Sequence, residues 1–348
     1  MSRDLAEKRA AEVAKEGETG YAVEKRAARV GAADGGIPAG KEKAMKVSLV
    51  IMAAGLGSRY GGNKQVDGIG PNGEILMEYA IHDALRAGFG KVVFIIKPEM
   101  EEMMDRLVGY LRHKTAADGS PVEVAYAFQD FSSLPEWYTM PPERVKPYGT
   151  VHALLCAADV VHEPCCVINA DDYYGIGAYR TMYEALQTLP AEGTAAMVGY
   201  LLKNTASLHG TVSRGVCTAR EGKLTSIHET KKIQLFADGS LRDLTADRPL
   251  DPDCVVSMNF WGFAPGIFPV LREYFHRFLR GEEGKELKSE CLLPVMGGDL
   301  MAENALVVNV YQSEDKWFGM TYQEDKPLVA EALRRLHREG VYPTDLRT

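Results

Sequence analysis

A glycine-rich segment with two basic residues follows the first strongly apolar run of the sequence. Residues 47–52 (VSLVIM) are largely apolar, and residues 53–64 (AAGLGSRYGGNK) come directly after them. Glycines let a backbone approach phosphate oxygens closely and turn its N–H groups toward them. Arg59 and Lys64 add the positive charge needed by a phosphorus centre that gains negative charge during displacement. The segment is therefore a candidate triphosphate-binding loop.

Two better-known phosphate loops do not fit this segment. A Walker A loop needs the tripeptide G-K-[ST], which the sequence lacks. A dinucleotide fingerprint needs glycine where Tyr60 stands, and an acid near the end of the second strand, where Lys97 and Pro98 lie. The plain alternative is a turn that only tightens a strand–loop junction, and the presence of both Arg59 and Lys64 disfavours it.

Two adjacent carboxylates, Asp171 and Asp172, follow another apolar run, residues 165–169 (CCVIN). Mg²⁺ prefers hard oxygen ligands and commonly takes one or two carboxylates together with substrate phosphates. Capping of the following helix is the alternative role for either acid. A D-x-D motif of a glycosyltransferase is excluded, because Tyr173 follows Asp172 and no third-position acid is present.

The elements that position these residues alternate between strand and helix periodicity as far as residue 202. Beyond residue 204, short strands are separated by tight turns such as Glu221-Gly222 and Asp238-Gly239. Strand–helix alternation predicts an α/β fold with a Rossmann-like, doubly wound, mixed but mostly parallel sheet, to which the later strands add a small β insertion. Parallel strands end at one edge, so the loop after residue 52 and Asp171 are expected to meet there.

The glycine-rich segment resembles the hallmark of the nucleotidyltransferase superfamily that makes nucleotide sugars, A-A-G-x-G-x-R followed shortly by lysine. The matching residues are Ala53, Ala54, Gly55, Gly57, Arg59 and Lys64. The short interval between Arg59 and Lys64 is closer to members that use CTP or transfer guanylate than to many hexose 1-phosphate enzymes. The resemblance extends over residues 46–330 and implies the nucleotide-diphospho-sugar transferase type of fold.

The resemblance implies a role for each matching position. Arg59, Lys64 and Asp171 are the expected catalytic residues, and Asp171 is the expected ligand of Mg²⁺. The expected nucleotide-binding residues are Ala53, Ala54, Gly55, Gly57, Ser58, Gln129, Gly149 and Thr150. Among these, Gln129 would read the base edge and Gly149-Thr150 would contact the base through the backbone. An ordinary helix N-cap is the alternative for Thr150.

The second half of the chain resembles the acceptor-binding part of the family less closely. Gly210 in a glycine-containing turn, Glu229 and Lys231 in an E-x-K-like segment, and Asn259 in an apolar strand are the expected acceptor-binding residues. An exposed ion pair is the alternative for Glu229 and Lys231, and a β-bulge is the alternative for Asn259. Residues 317–322 (WFGMTY) lack the aspartate of the W-x-D-x-G-T context of many relatives, so a second metal ligand is unassigned.

Composition limits partners and compartment. The chain has 348 residues and a formal net charge of -8, which provides no basic field for nucleic acid or an anionic membrane. None of the six cysteines forms a C-x-x-C pair, and no apolar run reaches the roughly 18 residues of a membrane span. We expect a cytoplasmic protein with reduced thiols, and homo-oligomerisation is left open.

Three regions are expected along the chain. Residues 1–44 are rich in Ala, Glu, Lys and Arg and end in a glycine-rich stretch, which is typical of a flexible extension. Residues 45–330 form the nucleotidyltransferase domain, and residues 331–348 form a C-terminal helix and tail. Because residues 1–44 contain few large apolar side chains, we expect them to be dispensable for folding and turnover.

The expected reaction couples a nucleoside triphosphate to a phosphorylated small molecule with release of pyrophosphate. UTP and a sugar 1-phosphate are the leading expectation, because these substrates are frequent in the family. A cytidylyltransferase acting on a non-sugar phosphate is one alternative, and a non-catalytic regulatory protein that binds nucleotide sugars is another. An oxidoreductase that binds a dinucleotide is a third, already disfavoured by Tyr60 and Lys97.

Alanine substitutions should distinguish the work of Arg59 from that of Lys64. Arg59→Ala should raise the KM for the triphosphate, because a planar guanidinium can hold two oxygens of the bound substrate. Lys64→Ala should lower kcat more than it weakens binding, because a mobile point charge best serves charge that develops during attack. Calorimetric affinity and single-turnover rate at saturation measure the two effects. Loss of affinity with an unchanged saturated rate in Lys64→Ala would contradict this assignment.

Overall fold

An apolar strand at the start of the described chain sets the direction of a large mixed sheet. The computed structural model describes residues 45–55, 68–207, 209–319 and 323–348. The strands are β1 Ser48–Met52, β2 Lys91–Ile96, β3 Glu123–Phe128, β4 Cys165–Asn169, β5 Asp172–Tyr173, β6 Thr194–Leu201, β7 Val212–Arg220, β8 Lys223–Leu235, β9 Leu241–Asp243, β10 Arg248–Leu250, β11 Val255–Phe263, β12 Val307–Gln312 and β13 Phe318–Gly319.

Helices connect the strands of the first half and return in the last third of the chain. They are α1 Leu76–Ala87, α2 Glu101–Val108, α3 Thr150–Leu155, α4 Ile176–Gln187, α5 Ile267–Arg280, α6 Glu282–Lys285, α7 Leu293–Ala302 and α8 Lys326–Arg338. Short 3₁₀ turns cover Pro98–Met100, Gly109–His113, Leu202–Asn204 and Gln323–Asp325. Helix α1 ends at Gly88, whose left-handed φ of 119° suits a residue without a Cβ atom.

The large sheet has the strand order β10-β9-β8-β12-β6-β11-β4-β1-β2-β3, and β7 pairs with both β8 and β11. Strands β4, β1, β2 and β3 are parallel neighbours, and β6 is parallel to β12. The pairings β6–β11–β7–β8–β12–β6 return to their starting strand and form a closed ring of five strands. Strands β5 and β13 form a separate two-stranded sheet.

Side-chain alternation divides the core between the two faces of the sheet. Leu49 and Ile51 belong to one buried cluster and Val50 to the other, as strand pleating requires. The first cluster includes apolar side chains of α1, α2 and α4, and the second includes those of α3, α5 and α7. Helices therefore cover both faces of the sheet, and the fold is α/β.

The expectation of a mostly parallel sheet is wrong, because beyond the first four strands only β6 and β12 are parallel neighbours among the described strands. The pairs that involve β7, β8, β9, β10 and β11 are all antiparallel. The connection between β7 and β8 is the two-residue turn Glu221-Gly222, in which both residues have positive φ. Such a turn joins only antiparallel neighbours, because a parallel pair needs a long crossover.

Three other details differ from the sequence prediction. The sequence pattern predicts separate strands over residues 224–228 and 234–236, but residues 223–235 form the single long strand β8 and residue 236 follows it. The pattern also predicts one helix over residues 150–160, whereas α3 ends at Leu155. Helix α7 was not predicted, because Gly297 and Gly298 and an apolar surface on most sides obscure its helical period.

Residues 331–348, expected as a C-terminal helix and tail, pack against the domain at α1. By their contacts, the described residues from 45 onward form one unit. A small third apolar cluster joins α8 and the tail to α1, and it includes Tyr79, Leu333 and Tyr342. Arg347 forms a two-pronged ion pair with Glu78, a fully buried residue of α1.

Candidate active site

The carboxyl ends of four parallel strands lie side by side at one edge of the sheet. Met52 at the end of β1 is in register with Asn169 at the end of β4 and with Ile95 of β2. Ile96 of β2 is in register with Phe128 of β3. The residues that follow these strands are therefore neighbours, at the edge where open α/β sheets bind ligands.

The loop after β1 begins in a defined position. Ala53 is buried, and its N–H donates to the carbonyl of Ile95 at 2.8 Å, which extends the β1–β2 ladder by one residue. Ala54 is half-buried and Gly55 is exposed, with open space where a Cβ atom would stand. Gly57, Ser58, Arg59 and Lys64 lie outside the described residues.

Gln129 and Gly149 meet at the edge, beyond β3. Gln129 is buried, and its Nε2 donates to the carbonyl of Gly149 at 3.3 Å. Gly149 has a φ of 89°, and a Cβ atom there would lie 2.7 Å from the carbonyl oxygen of Cys291. The structure thus brings together two of the residues expected to read the nucleobase.

Thr150 begins α3, but its side chain serves another helix. Its Oγ1 accepts the N–H of Leu293 at 2.8 Å, at the first residue of α7. That N–H belongs to the first turn, which has no carbonyl partner within its own helix. The hydroxyl therefore fixes α7 against α3.

A polar cavity of about 250 Å³ lies beyond the end of β4. Four of its lining residues were singled out from the sequence, namely Asp171, Asp172, Glu229 and Asn259. Arg214, Ser257 and Trp317 are among the other lining residues. The cavity therefore joins the expected metal ligand to part of the expected acceptor site.

A directed chain of hydrogen bonds crosses this cavity wall. Nδ2 of Asn169 donates to Oδ2 of Asp172 at 2.8 Å, and Nδ2 of Asn259 donates to Oδ1 of Asn169 at 2.8 Å. An ionised carboxylate only accepts hydrogen bonds, so it fixes the orientation of the first amide and, through it, of the second. Oδ1 of Asn259 is left as a buried acceptor with no partner among the described residues.

Tyr174 supports this chain from below. The residue is fully buried, and its hydroxyl lies 3.1 Å from the N–H of Asn169, from Oδ2 of Asp172 and from the carbonyl of Met258. Burial raises the pKa of the Tyr174 hydroxyl well above its usual value. The neutral hydroxyl therefore links the end of β4 to the middle of β11 beneath the carboxylate of Asp172.

Arg214 is a lining residue that the sequence reasoning missed, although it lies only four residues after Gly210. It is buried, and its Nη1 donates to the carbonyl of Ser213 at 2.8 Å while its Nε donates to Oγ1 of Thr205 at 3.3 Å. The guanidinium lies 4.8 Å from the ring centre of Trp317. The sequence does not show that this arginine is buried, and its burial is the feature that draws attention to it.

Two effects act in opposite directions on the pKa of the Glu229 carboxyl at the cavity. Partial enclosure raises the pKa of its carboxyl, and the nearby charges of Arg214 and Lys231 lower it. Lys231 is exposed and does not line the cavity. The ladder between β7 and β8 shifts register after Thr230, and Lys232 there has a φ of 56°. This bulge interrupts side-chain alternation, so Lys231 does not follow Glu229 onto one face.

The structure shows the bulge that was the alternative role for Asn259. It has a φ of 62° at a register shift between β11 and β6, so it forms a β-bulge, and it also lines the cavity. Gly210 lies in the bend before β7 and is not among the residues that line the cavity. The bulge at Asn259 re-aims a polar side chain that a regular strand would bury in the core.

A divalent cation at this cavity would need oxygen ligands from both the protein and a substrate. Among the described residues, no group of three or more His, Cys, Asp and Glu side chains could hold a metal ion. Asp171 and Asp172 offer adjacent carboxylates, which suit Mg²⁺ when substrate phosphates supply further oxygens. The residues present therefore fit a metal shared with a phosphorylated substrate.

The histidine near the start of α3 packs in the core. His152 is buried and stacked on Phe275 with ring centres 5.1 Å apart, and burial lowers its pKa to about 4. All six cysteines are free. Within the described ranges, every helix is too short or too polar to cross a bilayer.

Comparisons with known proteins identify the family and the fold. A family model described as nucleotidyl transferase matches residues 49–234. The fold is similar to that of the inositol-1-phosphate CTP transferase from T. maritima, with 11% identity, a TM-score of 0.55, and coverage of 85% of this chain and 97% of that chain. A Bacillus anthracis protein named as a glucose-1-phosphate thymidylyltransferase gives 14% identity, a TM-score of 0.56, and coverage of 86% and 98%. A search of curated protein sequences gave no match.

Gly149→Ala should destabilise the protein by about 1–3 kcal/mol, because the new Cβ would both strain a positive φ and collide with Cys291. Gly119→Ala is the matched control, since Gly119 has a φ of 82° and nothing within 4 Å of the Cβ position. Denaturant unfolding of both variants separates strain from collision. Equal losses would show that the approach of Cys291 does not require glycine at position 149.

Proposed function

This chain belongs to the nucleotidyl transferase family, and on that premise we propose that it joins a nucleoside triphosphate to a phosphorylated small molecule, a sugar 1-phosphate or a similar phosphorylated polyol. The observation that carries the proposal is the polar cavity beyond β4. It brings Asp171 and Asp172 to the sheet edge that also holds the start of the loop after β1.

The proposed chemistry is an in-line displacement at the α-phosphorus. An oxygen of the acceptor phosphate forms the new P–O bond, and the bond to the departing pyrophosphate breaks. The acceptor phosphate is ionised near neutral pH, so no covalent enzyme nucleophile is needed. The chain's contribution is then positioning and charge neutralisation.

The first half of the site would bind the nucleotide. In the proposal, backbone groups of the loop beginning at Ala53 and Gly55 hold the phosphates, with Arg59 and Lys64 as their cationic partners. The buried amide of Gln129 and the backbone at Gly149 and Thr150 contact the base. This assigns the four parallel strands to a Rossmann-like nucleotide-binding half.

The second half would bind the acceptor. Oδ1 of Asn259 is fixed as an acceptor of hydrogen bonds, and the Glu229 carboxylate is a second one, so both suit hydroxyl groups. Arg214 adds positive charge to the same cavity, which suits a phosphate. In the proposal, Gly210 and Lys231 assist only from the rim.

Magnesium fits the donor set at Asp171 and Asp172. When bound, it would neutralise phosphate charge and align the reacting oxygens. The chain's own part is to hold both carboxylates at the cavity, and the amide of Asn169 and the hydroxyl of Tyr174 keep Asp172 in place.

The nucleobase and the acceptor are open to direct measurement. UTP stays our prediction for the triphosphate, and the names of the two structural neighbours make CTP and dTTP the necessary comparison arms. Hexose 1-phosphates, hexosamine 1-phosphates and inositol phosphate form the acceptor panel.

Residues 1–44 are proposed as an extension outside the catalytic domain. A cytoplasmic location and a homo-oligomer are proposals of the same kind.

The panel also tests the reaction class, because released pyrophosphate reports product formation for any base and acceptor. We expect release only when both a triphosphate and a phosphorylated acceptor are present. Stabilisation against heat by a nucleotide sugar, without pyrophosphate release from any pair, would indicate a regulatory protein instead.

Asp171→Asn should lower kcat by at least about a hundredfold, because loss of a metal-holding carboxylate removes several kcal/mol of charge stabilisation in the transition state. Its melting temperature should stay near that of the wild type. Asp253→Asn is the control, an exposed acid paired with Lys203 away from the cavity. Turnover of Asp171→Asn like that of the control at saturating Mg²⁺ would remove Asp171 from the site.

A further inference from the structure

The C-terminal tail packs behind β5, the short strand that contains Asp172. Strand β5 consists of Asp172 and Tyr173, and it pairs only with β13 among the described strands. It is therefore outside the large sheet and depends on packing for its position. Asp172 lines the cavity, whereas Tyr173 is buried in the cluster formed with α8 and the tail.

Tyr342 connects this short strand to α1. Its hydroxyl donates to Oδ2 of Asp83 at 2.8 Å and lies 2.8 Å from the hydroxyl of Tyr173. Tyr342 and Asp83 are both almost fully buried. Because Asp83 accepts the proton of Tyr342, the hydroxyl of Tyr173 donates to Tyr342. The result is a three-member chain from β5 through the tail to α1.

Burial raises the pKa of Asp83 well above its usual range. When Asp83 is protonated, its O–H donates to Tyr342, which then donates to Tyr173. Both hydrogen bonds persist in either direction, so the connection does not depend on the charge of Asp83. What it requires is the hydroxyl at position 342.

Further contacts hold the tail in place. Arg347 binds Glu78 with Nε–Oε1 and Nη2–Oε2 distances of 2.5 Å and 2.9 Å. The hydroxyl of Tyr79 lies 2.9 Å from Nε2 of His337 in α8. The ring of Tyr79 packs edge-on against Tyr173 and Tyr342, with ring centres 6.3 Å and 4.9 Å away. These contacts give Tyr342 one fixed position behind β5.

We propose that Tyr342, carried by the C-terminal tail, is a positioning residue of the active site that holds β5 so that Asp172 faces the cavity. The inference rests on the proposed function. Successive side chains of a strand point to opposite sides, so anchoring Tyr173 fixes the direction of Asp172. A displacement of about 1 Å at a charge-bearing group is enough to slow a positioned reaction substantially.

Removal of single hydroxyls in the full-length protein tests the proposal. Tyr342→Phe keeps the ring and deletes both hydrogen bonds, and Tyr173→Phe deletes one while leaving the bond between Tyr342 and Asp83. The matched control is Tyr126→Phe, because Tyr126 donates to Oδ1 of Asp105 at 2.7 Å and belongs neither to the cavity lining nor to the apolar cluster of Tyr173. Each variant is assayed at a temperature where circular dichroism shows it fully folded.

We expect kcat to fall about tenfold in both Tyr342→Phe and Tyr173→Phe, with the KM for the triphosphate nearly unchanged. Mn²⁺ affinity, followed by the electron paramagnetic resonance signal of the free ion, should weaken in the same two variants. The double variant should lose no more than the worse single variant, because both deletions break one shared connection. Tyr126→Phe should match the wild type in all three measurements.

Two kinds of failure are distinguishable. A wild-type protein that neither binds Mn²⁺ nor releases pyrophosphate overturns the proposed function. If the wild type does both, then kcat and Mn²⁺ affinity of Tyr173→Phe equal to those of Tyr126→Phe overturn the positioning role. Independent, additive losses in the double variant overturn it as well. Because Tyr173→Phe keeps the bond to Asp83, the test stands even where Tyr342→Phe does not fold.

Discussion

The carboxylate of Asp172 can only accept hydrogen bonds, and the geometry of the cavity depends on this constraint. Asn169 must turn its N–H group toward the acid, so Asn259 must turn its own toward Asn169. One charge thereby sets the polarity of side chains on β4 and β11, which belong to the two halves of the molecule. The parts of the site that are proposed to bind the metal and the acceptor are consequently one electrostatic unit.

The first four strands could be predicted from the sequence because each signal was local. Apolar runs bounded by glycine, proline or acid located β1 to β4, and parallel pairing followed from the helices between them. The same reasoning placed Asp171 at the edge of the sheet, since residues after parallel strands share an edge, whereas the expectation for Gln129 came from the resemblance to the family. Sequence patterns suffice where the position of a side chain follows from its own strand.

The rest could not be predicted because it depends on backbone irregularities and distant partners. Bulges at Lys232 and Asn259 break the two-residue period, so the faces of Lys231 and Asn259 could not be derived from alternation. The burial of Arg214 depends on Trp317, about a hundred residues later in the chain. Helix α7 was hidden by its even apolar surface, and its start is capped by Thr150 of α3.

The closure of the tail onto α1 has a consequence for synthesis on the ribosome. Tyr342 and Asp83 are 259 residues apart, and Arg347 and Glu78 are 269 apart. Contacts between residues this far apart form late, because the intervening chain must be made before they can exist. The nascent protein can therefore build its parallel strands first, but it anchors β5 only once residues 342–347 have left the ribosome. The cavity is thus completed later than the strands that carry it.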